Sequence, residues 1–168
     1  MIDFLWKNFF KTEEKSVEMI LKENPLFEDL SKKELRILSH MVHRRSFIPG
    51  EFIFQEGKGL GMYIIISGKV GILHGASQGG ESTVISQLKA GDFFGELCLA
   101  REEGYHHVSA QATEESKLLG FFRPDLLNLI EKNPSTGIRI LMKLTEILGE
   151  RLQKAGEKLS QFKQTRNH

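Results

Sequence analysis

Cysteine is nearly absent: Cys98 is the one thiol in 168 residues. That excludes an internal disulfide and any metal site built from several cysteines. Cys98 sits in the apolar run Leu97-Cys98-Leu99, which reads as a buried, inert thiol rather than a nucleophile. Charge of one sign is lacking too. With 23 basic and 22 acidic residues the formal net charge is +1, which argues against a dominant surface for nucleic acid or another polyanion. No apolar run approaches the ~20 residues of a membrane span. The start, Met1-Ile2-Asp3-Phe4-Leu5-Trp6-Lys7, has neither the basic n-region nor the small-residue cleavage site of a secretory signal. A cytoplasmic protein is the expectation, with no membrane partner. P-loop, nucleophile-elbow and His-Glu-x-x-His motifs are all missing, so neither catalysis nor catalytic residues are expected. His40 and His43 lie three apart and His106-His107 is a doublet, but a zinc site needs three or four converging ligands. No metal is expected. What is present is 40% hydrophobic and 27% charged residues, enough for a packed core in one domain with extensions.

Three regions differ in pattern. Residues 1–44 read as helices, with 1–24 a helical extension. Ser31-Lys32-Lys33-Glu34 is a capping box, followed by Leu35, Leu38 and Val42 at helical spacing. Residues 45–122 carry Gly and turn residues every 8 to 12 positions. Between them lie short β-branched or aromatic runs: Phe52-Ile53-Phe54, Met62 to Ser67, Val70 to Leu73, Thr83 to Leu88 and Lys117 to Phe122. That spacing predicts a small barrel or sandwich. Residues 123–165 return to helix. Pro124 fits a first helical position, and Asn133-Pro134 marks a break before a second, longer helix over 134–165.

The last helix carries two apolar stripes. Ile138, Leu141, Thr145, Leu148, Leu152, Ala155, Leu159 and Phe162 alternate in spacings of three and four, an a/d seam of nearly four heptads. Ile140, Leu144 and Ile147 form another face. The expectation is that this second stripe packs on the domain and the a/d seam pairs with a second subunit. The alternative is that the N-terminal helices cover both. Gly149 and Gly156 lie beside the seam, where each weakens the helix by about 1 kcal/mol relative to Ala but allows close approach. Phe4, Leu5, Trp6, Phe9 and Phe10 crowd the first ten residues. Read blandly they dock a helix onto the domain; read sharply they meet a membrane surface or a protein partner. The few basic residues there, Lys7 and Lys11, favour docking.

Several motifs in order carry a family resemblance. Pro49-Gly50-Glu51 with Ile53-Phe54 and Glu56-Gly57 reads as a first strand and turn. Gly61 to Val70 reads as the next two strands, with Gly68 at the tight connection. Leu88-Lys89-Ala90-Gly91-Asp92-Phe93-Phe94-Gly95-Glu96-Leu97-Cys98-Leu99 reads as a phosphate-binding cassette leading into a short helix. Across residues 25–160 the chain resembles the cyclic-nucleotide-binding domain of the catabolite-activator and Fnr-like type. The resemblance implies an α+β fold. An antiparallel β-roll (double-stranded β-helix, or jelly roll) of about eight strands is flanked by N-terminal helices, a short helix and a long C-terminal helix. It places the domain over 25–133, the roll over 45–122, and a dimerisation helix over 134–165.

The resemblance also implies a site, with cAMP or cGMP as candidate ligand and no required cofactor. Cassette glycines bring backbone N–H groups to a phosphate, a glutamate accepts from the ribose hydroxyl, and an arginine pairs with the phosphate. Gly95 and Glu96 match residue by residue. The implied ligand-binding set is Phe94, Gly95, Glu96, Leu97, Cys98, His106, His107 and Ser109. Counted back from Ala112, the serine or threonine position falls on Ser109. The arginine position falls on His106, or with a one-residue slip on Tyr105. Three readings of His106 stand open: a protonatable substitute donor, a contact for a different ligand, or an ordinary surface histidine in a domain without a ligand. For Glu96 the alternative is a carboxylate that only caps the short helix. Transcription factors of this type carry a winged helix-turn-helix after the long helix. The residues after Leu159 are too few for one, so direct DNA recognition is not expected. Two function classes remain: a non-catalytic sensor signalling through its last helix, and a ligand-free dimeric module that binds a protein partner.

Overall fold

A computed structural model describes residues 15–56, 61–75, 82–100 and 107–166, with side chains through 161. The aromatic cluster of the first ten residues, and so most of the expected 1–24 extension, lies outside the described residues. So do Tyr105, His106 and the side chain of Phe162. Helix α1 (Val17–Glu23) starts at Ser16, whose hydroxyl accepts from the Met19 N–H at 3.3 Å. Helix α2 (Lys32–Ser39) starts at Ser31 with the complete capping box the sequence predicts. The Ser31 hydroxyl accepts from the Glu34 N–H, and the Glu34 carboxylate accepts from the Ser31 N–H at 2.9 Å.

Eight strands follow in two four-stranded sheets. They are β1 (His43–Phe47), β2 (Phe52–Phe54), β3 (Gly61–Ser67), β4 (Lys69–His74), β5 (Thr83–Lys89), β6 (Phe93–Phe94), β7 (Ser109–Ala112) and β8 (Ser116–Phe122). One sheet has the order β1-β8-β3-β6 and the other β2-β7-β4-β5, and every pairing is antiparallel. This is the expected β-roll. Five strands match the predicted runs to within a few residues. The other three, β1, β6 and β7, were not predicted: β1 reads His-Arg-Arg-Ser-Phe, β6 has two residues, and β7 is Ser-Ala-Gln-Ala. β1 and β7 lack the β-branched or aromatic run that marks a strand, and β6, though Phe-Phe, is too short to read as one.

The β3 run is apolar throughout because both its faces are covered. Met62 and Ile64 point outward, with Leu119 and Phe121 of β8, to a core shared with Phe27, Leu38, Leu126, Leu129, Ile140 and Leu144 from the helical segments. Tyr63 and Ile65 point inward to a second core with Phe54, Val70, Phe94, Ala110 and Leu118. Gly68 makes the β3–β4 corner at φ +89°, and a Cβ there would lie 2.5 Å from the Glu115 carbonyl oxygen, so only glycine fits.

Three helices complete the chain: α3 (Leu97–Ala100), α4 (Arg123–Lys132) and α5 (Pro134–Arg166). Pro124 lies in the first turn of α4, one position later than expected, and Asn133 separates α4 from α5. Glu34 ties α2 to α5, its second oxygen accepting from the Thr136 hydroxyl at 2.7 Å and from Arg139. Along α5, Ile140 and Leu144 are buried and Ile147 packs beside them, as the second stripe predicts.

The predicted seam needs correction. Leu141 and Leu148 lean against the outer core instead of facing away from it. The exposed stripe is Ile138, Met142, Thr145, Gly149, Leu152, Gly156 and Leu159, still at spacings of four and three. Five apolar residues, from Ile140 to Leu148, widen the inner face and turn the open seam by one position, so the two glycines lie within it. From Gly149 to Gln161 every residue is exposed, because the helix runs past the body of the roll.

Candidate functional site

The site forms where β6 leaves the roll. Asp92 turns the chain there: its carboxylate accepts from the Lys89 N–H at 2.9 Å, and its carbonyl accepts from the Ile65 N–H at 2.9 Å. Phe93 and Phe94 then pair with Ile64 and Tyr63 of β3. At Gly95 the chain takes a left-handed conformation, φ +79°, and a Cβ would lie 2.5 Å from the Gly61 carbonyl oxygen. A side chain is excluded twice over, by conformation and by contact. The Gly95 carbonyl accepts from the Cys98 N–H at 3.0 Å as the first turn of α3 forms. The sequence-predicted cassette and its short helix are thus both present.

Glu96, next in the chain, is 13% exposed and accepts from Arg151 Nη1 of α5 at 2.8 Å. A second guanidinium nitrogen of Arg151 donates to the Phe93 carbonyl at 3.4 Å, and its carbon lies 4.4 Å from the Phe93 ring centroid. Arg151 therefore clasps both ends of the Phe93–Glu96 segment by charge, hydrogen bonding and cation–π contact. Helix capping does not account for the Glu96 carboxylate, since its partner is a distant residue of another helix. Arg151 is the residue of this candidate site that sequence reasoning missed. It lies 55 positions from Glu96, and in sequence it is one more charge on a helix rich in them.

The other implied site residues divide. Phe94 faces the roll interior in a ring cluster, 5.7 Å from Tyr63 and 5.9 Å from Phe54 by centroids. Leu97 projects into solvent at 56% exposure. Cys98 is buried beneath it, and burial holds its thiol above the usual pKa. Ser109 is buried at the start of β7, where its hydroxyl accepts from the Glu56 N–H at 3.0 Å. The His107 side chain is exposed, and its carbonyl accepts from His74 Nδ1 at 3.1 Å. The structure thus brings Phe94, Gly95, Glu96, Leu97 and Cys98 into one turn and places Ser109 at the start of β7, in the other sheet, with His107 on the approach to it. His40 and His43 do not converge with other ligands: His43 pairs with Asp125 at 3.3 Å. Among the described residues no group of three or more His, Cys, Asp or Glu could hold a metal ion. No helix there is long and apolar enough to cross a membrane.

The candidate site is thus a glycine turn and a carboxylate at the edge of a β-roll, clasped by a long helix. Residues 44–133, more than half of the chain, match the family model described as cyclic nucleotide-binding domain. The chain belongs to that family. Over 150 residues it is 33% identical to the cyclic AMP receptor protein of Thermus thermophilus, covering 88% of this chain and 67% of the relative. It is 34% identical over 104 residues to a cAMP-dependent protein kinase regulatory subunit of Mycosarcoma maydis, but spans only 19% of that protein. Among solved structures, the catabolite activator protein of Thermus thermophilus superposes with a TM-score of 0.69 at 33% identity. The superposition covers 82% of this chain and 62% of that one. By their names these relatives are receptors and regulatory subunits.

Proposed function

We propose that this chain is a non-catalytic, cytoplasmic regulatory module that senses cAMP, cGMP or a related small ligand and signals through its C-terminal helix. The observation that carries this is the Glu96–Arg151 bond, which links the cassette turn directly to α5. A ligand whose ribose hydroxyl donates to Glu96 competes with Arg151 for the same carboxylate. Occupancy then loosens the clasp and frees the exposed end of α5. That is a two-state element biased by differential contacts, the physical requirement for signalling between sites. A pH dependence follows from one of the three readings of His106, the protonatable substitute for the arginine that the resemblance aligns with His106 or, with a one-residue slip, Tyr105. An imidazolium there makes binding weaken from pH 6 to pH 8 as the charge is lost.

The exposed stripe from Ile138 to Leu159 supports a homodimer as the form that reads the helix out. Its heptad-like spacing is self-complementary, and Gly149 and Gly156 have open space above them, so two helices can approach closely there. A second reading, a ligand-free dimeric module for a protein partner, draws on the same clasp. Glu96 is already satisfied internally, and aromatic rings fill the roll interior. The two separate in a thermal-shift assay. Ligand that binds the native state raises Tm by mass action, and a ligand-free module shows no shift with millimolar cAMP or cGMP.

A further inference from the structure

The outer strands of an open sheet carry unpaired backbone N–H and C=O groups, and folded proteins blunt such edges. The two sheets here have four edge strands: β1, β6, β2 and β5. Three of them are blunted. Strand β1 presents His43, Arg44 and Arg45, all exposed. Strand β6 has two residues, and Arg151 donates to its Phe93 carbonyl. Strand β2 has three residues. Strand β5 is different. It runs seven residues, Thr83–Lys89, with no proline and no charge before Lys89. All of them are exposed except Leu88, which is half-buried. Its inner edge pairs with β4 residue for residue from Lys69↔Lys89 to Ile72↔Ser86. Leu73 then faces Val84, so Ile85 is an extra residue in the ladder, the arrangement of a β-bulge. A bulge bends an edge strand, yet this one leaves Val84 and Ile85 in solvent, at 59% and 57% exposure. The outer edge of β5 is thus a regular ladder, Ser86–Lys89, beside a two-residue apolar step. No strand among the described residues pairs with it.

We propose that the outer edge of β5 is a docking site for an extended, uncharged segment of a protein partner, which joins the sheet as a further strand. The backbone fixes the class of partner, because another extended backbone is what matches a row of N–H and C=O groups. The side chains narrow it. Val84 and Ile85 favour an apolar residue opposite them, and the run Thr83–Leu88 offers no ion pair to a charged one. The edge lies in the other sheet from cassette strand β6, so the site stands whether or not a nucleotide binds.

The test uses the full chain and a capped synthetic peptide, Lys-Val-Gly-Ile-Leu-His, the β4 sequence that already pairs with the inner edge of β5. Backbone amide exchange is followed with and without millimolar peptide, in wild type and in a Val84→Lys, Ile85→Lys double variant. Both positions are exposed, so the variant should fold, which circular dichroism checks. The expected result is that peptide slows exchange over Thr83–Lys89 severalfold in wild type and not in the variant. Exchange that peptide leaves unchanged in wild type overturns the docking edge, as does slowing that survives the two lysines. Sedimentation without peptide covers a second copy as the occupant. A mass that is lower in the lysine variant than in wild type at matched concentration assigns the edge to pairing between copies and overturns a partner protein there.

Discussion

At Gly95 the backbone is left-handed and its missing Cβ faces the Gly61 carbonyl, so Gly95→Ala meets two penalties. The conformational penalty alone is about 1–2 kcal/mol, and the contact adds to it. Gly50 has φ +86° but open space where its Cβ would stand, so Gly50→Ala meets only the first. Thermal denaturation should show both variants destabilised, by at least about 2–4 °C, with Gly95→Ala the larger drop. Arg151→Ala acts on the clasp. The pair is partly exposed, so its worth is about 0.2–1 kcal/mol, and removing it should tighten cAMP binding by no more than about fivefold. Tyr63 has a pH signature. Its folded-state pKa is raised by burial, so it favours the folded state below pH ~10 and withdraws that support as pH rises further. Stability should therefore fall above pH ~10, and Tyr63→Phe should flatten the fall in alkaline denaturation curves.

At the scale of elements, legibility followed locality. The Ser31–Glu34 capping box, the cassette turn and the β3 run are written in a few consecutive residues, and each formed as read. Strands β1 and β7 were invisible because their pairing to β8 and β4 makes them strands, against a polar or small-residue sequence. The seam on α5 was readable in period but not in phase. Phase depends on which residues the outer core captures, and it captured Leu141 and Leu148. The corrected stripe makes its own prediction. Leu152→Lys with Leu159→Lys places like charges across the paired helices and should convert a dimer to a monomer, read by sedimentation or light scattering. These exposed changes should leave Tm of the roll nearly unmoved. Equal mass before and after, with the wild type already monomeric, contradicts the helix pairing.

For the whole molecule, the two cores explain how a small roll holds a long helix. The outer core binds α1, α2, α4 and the first half of α5 to one sheet, while the inner aromatic core closes the roll. The free half of α5 meets the site through Arg151, which bonds Glu96 and the Phe93 carbonyl. The Glu96 half of that connection was legible as a cassette residue. The Arg151 half was not, because a 55-residue separation leaves no local pattern. The central claim is that a ligand at Glu96 displaces Arg151. The most direct measurement is a calorimetric titration with cAMP of wild type beside Arg151→Ala and Glu96→Gln. Saturable binding is predicted, tightened severalfold by Arg151→Ala and weakened by Glu96→Gln. No heat from wild type at millimolar cAMP, or binding indifferent to both substitutions, would contradict it.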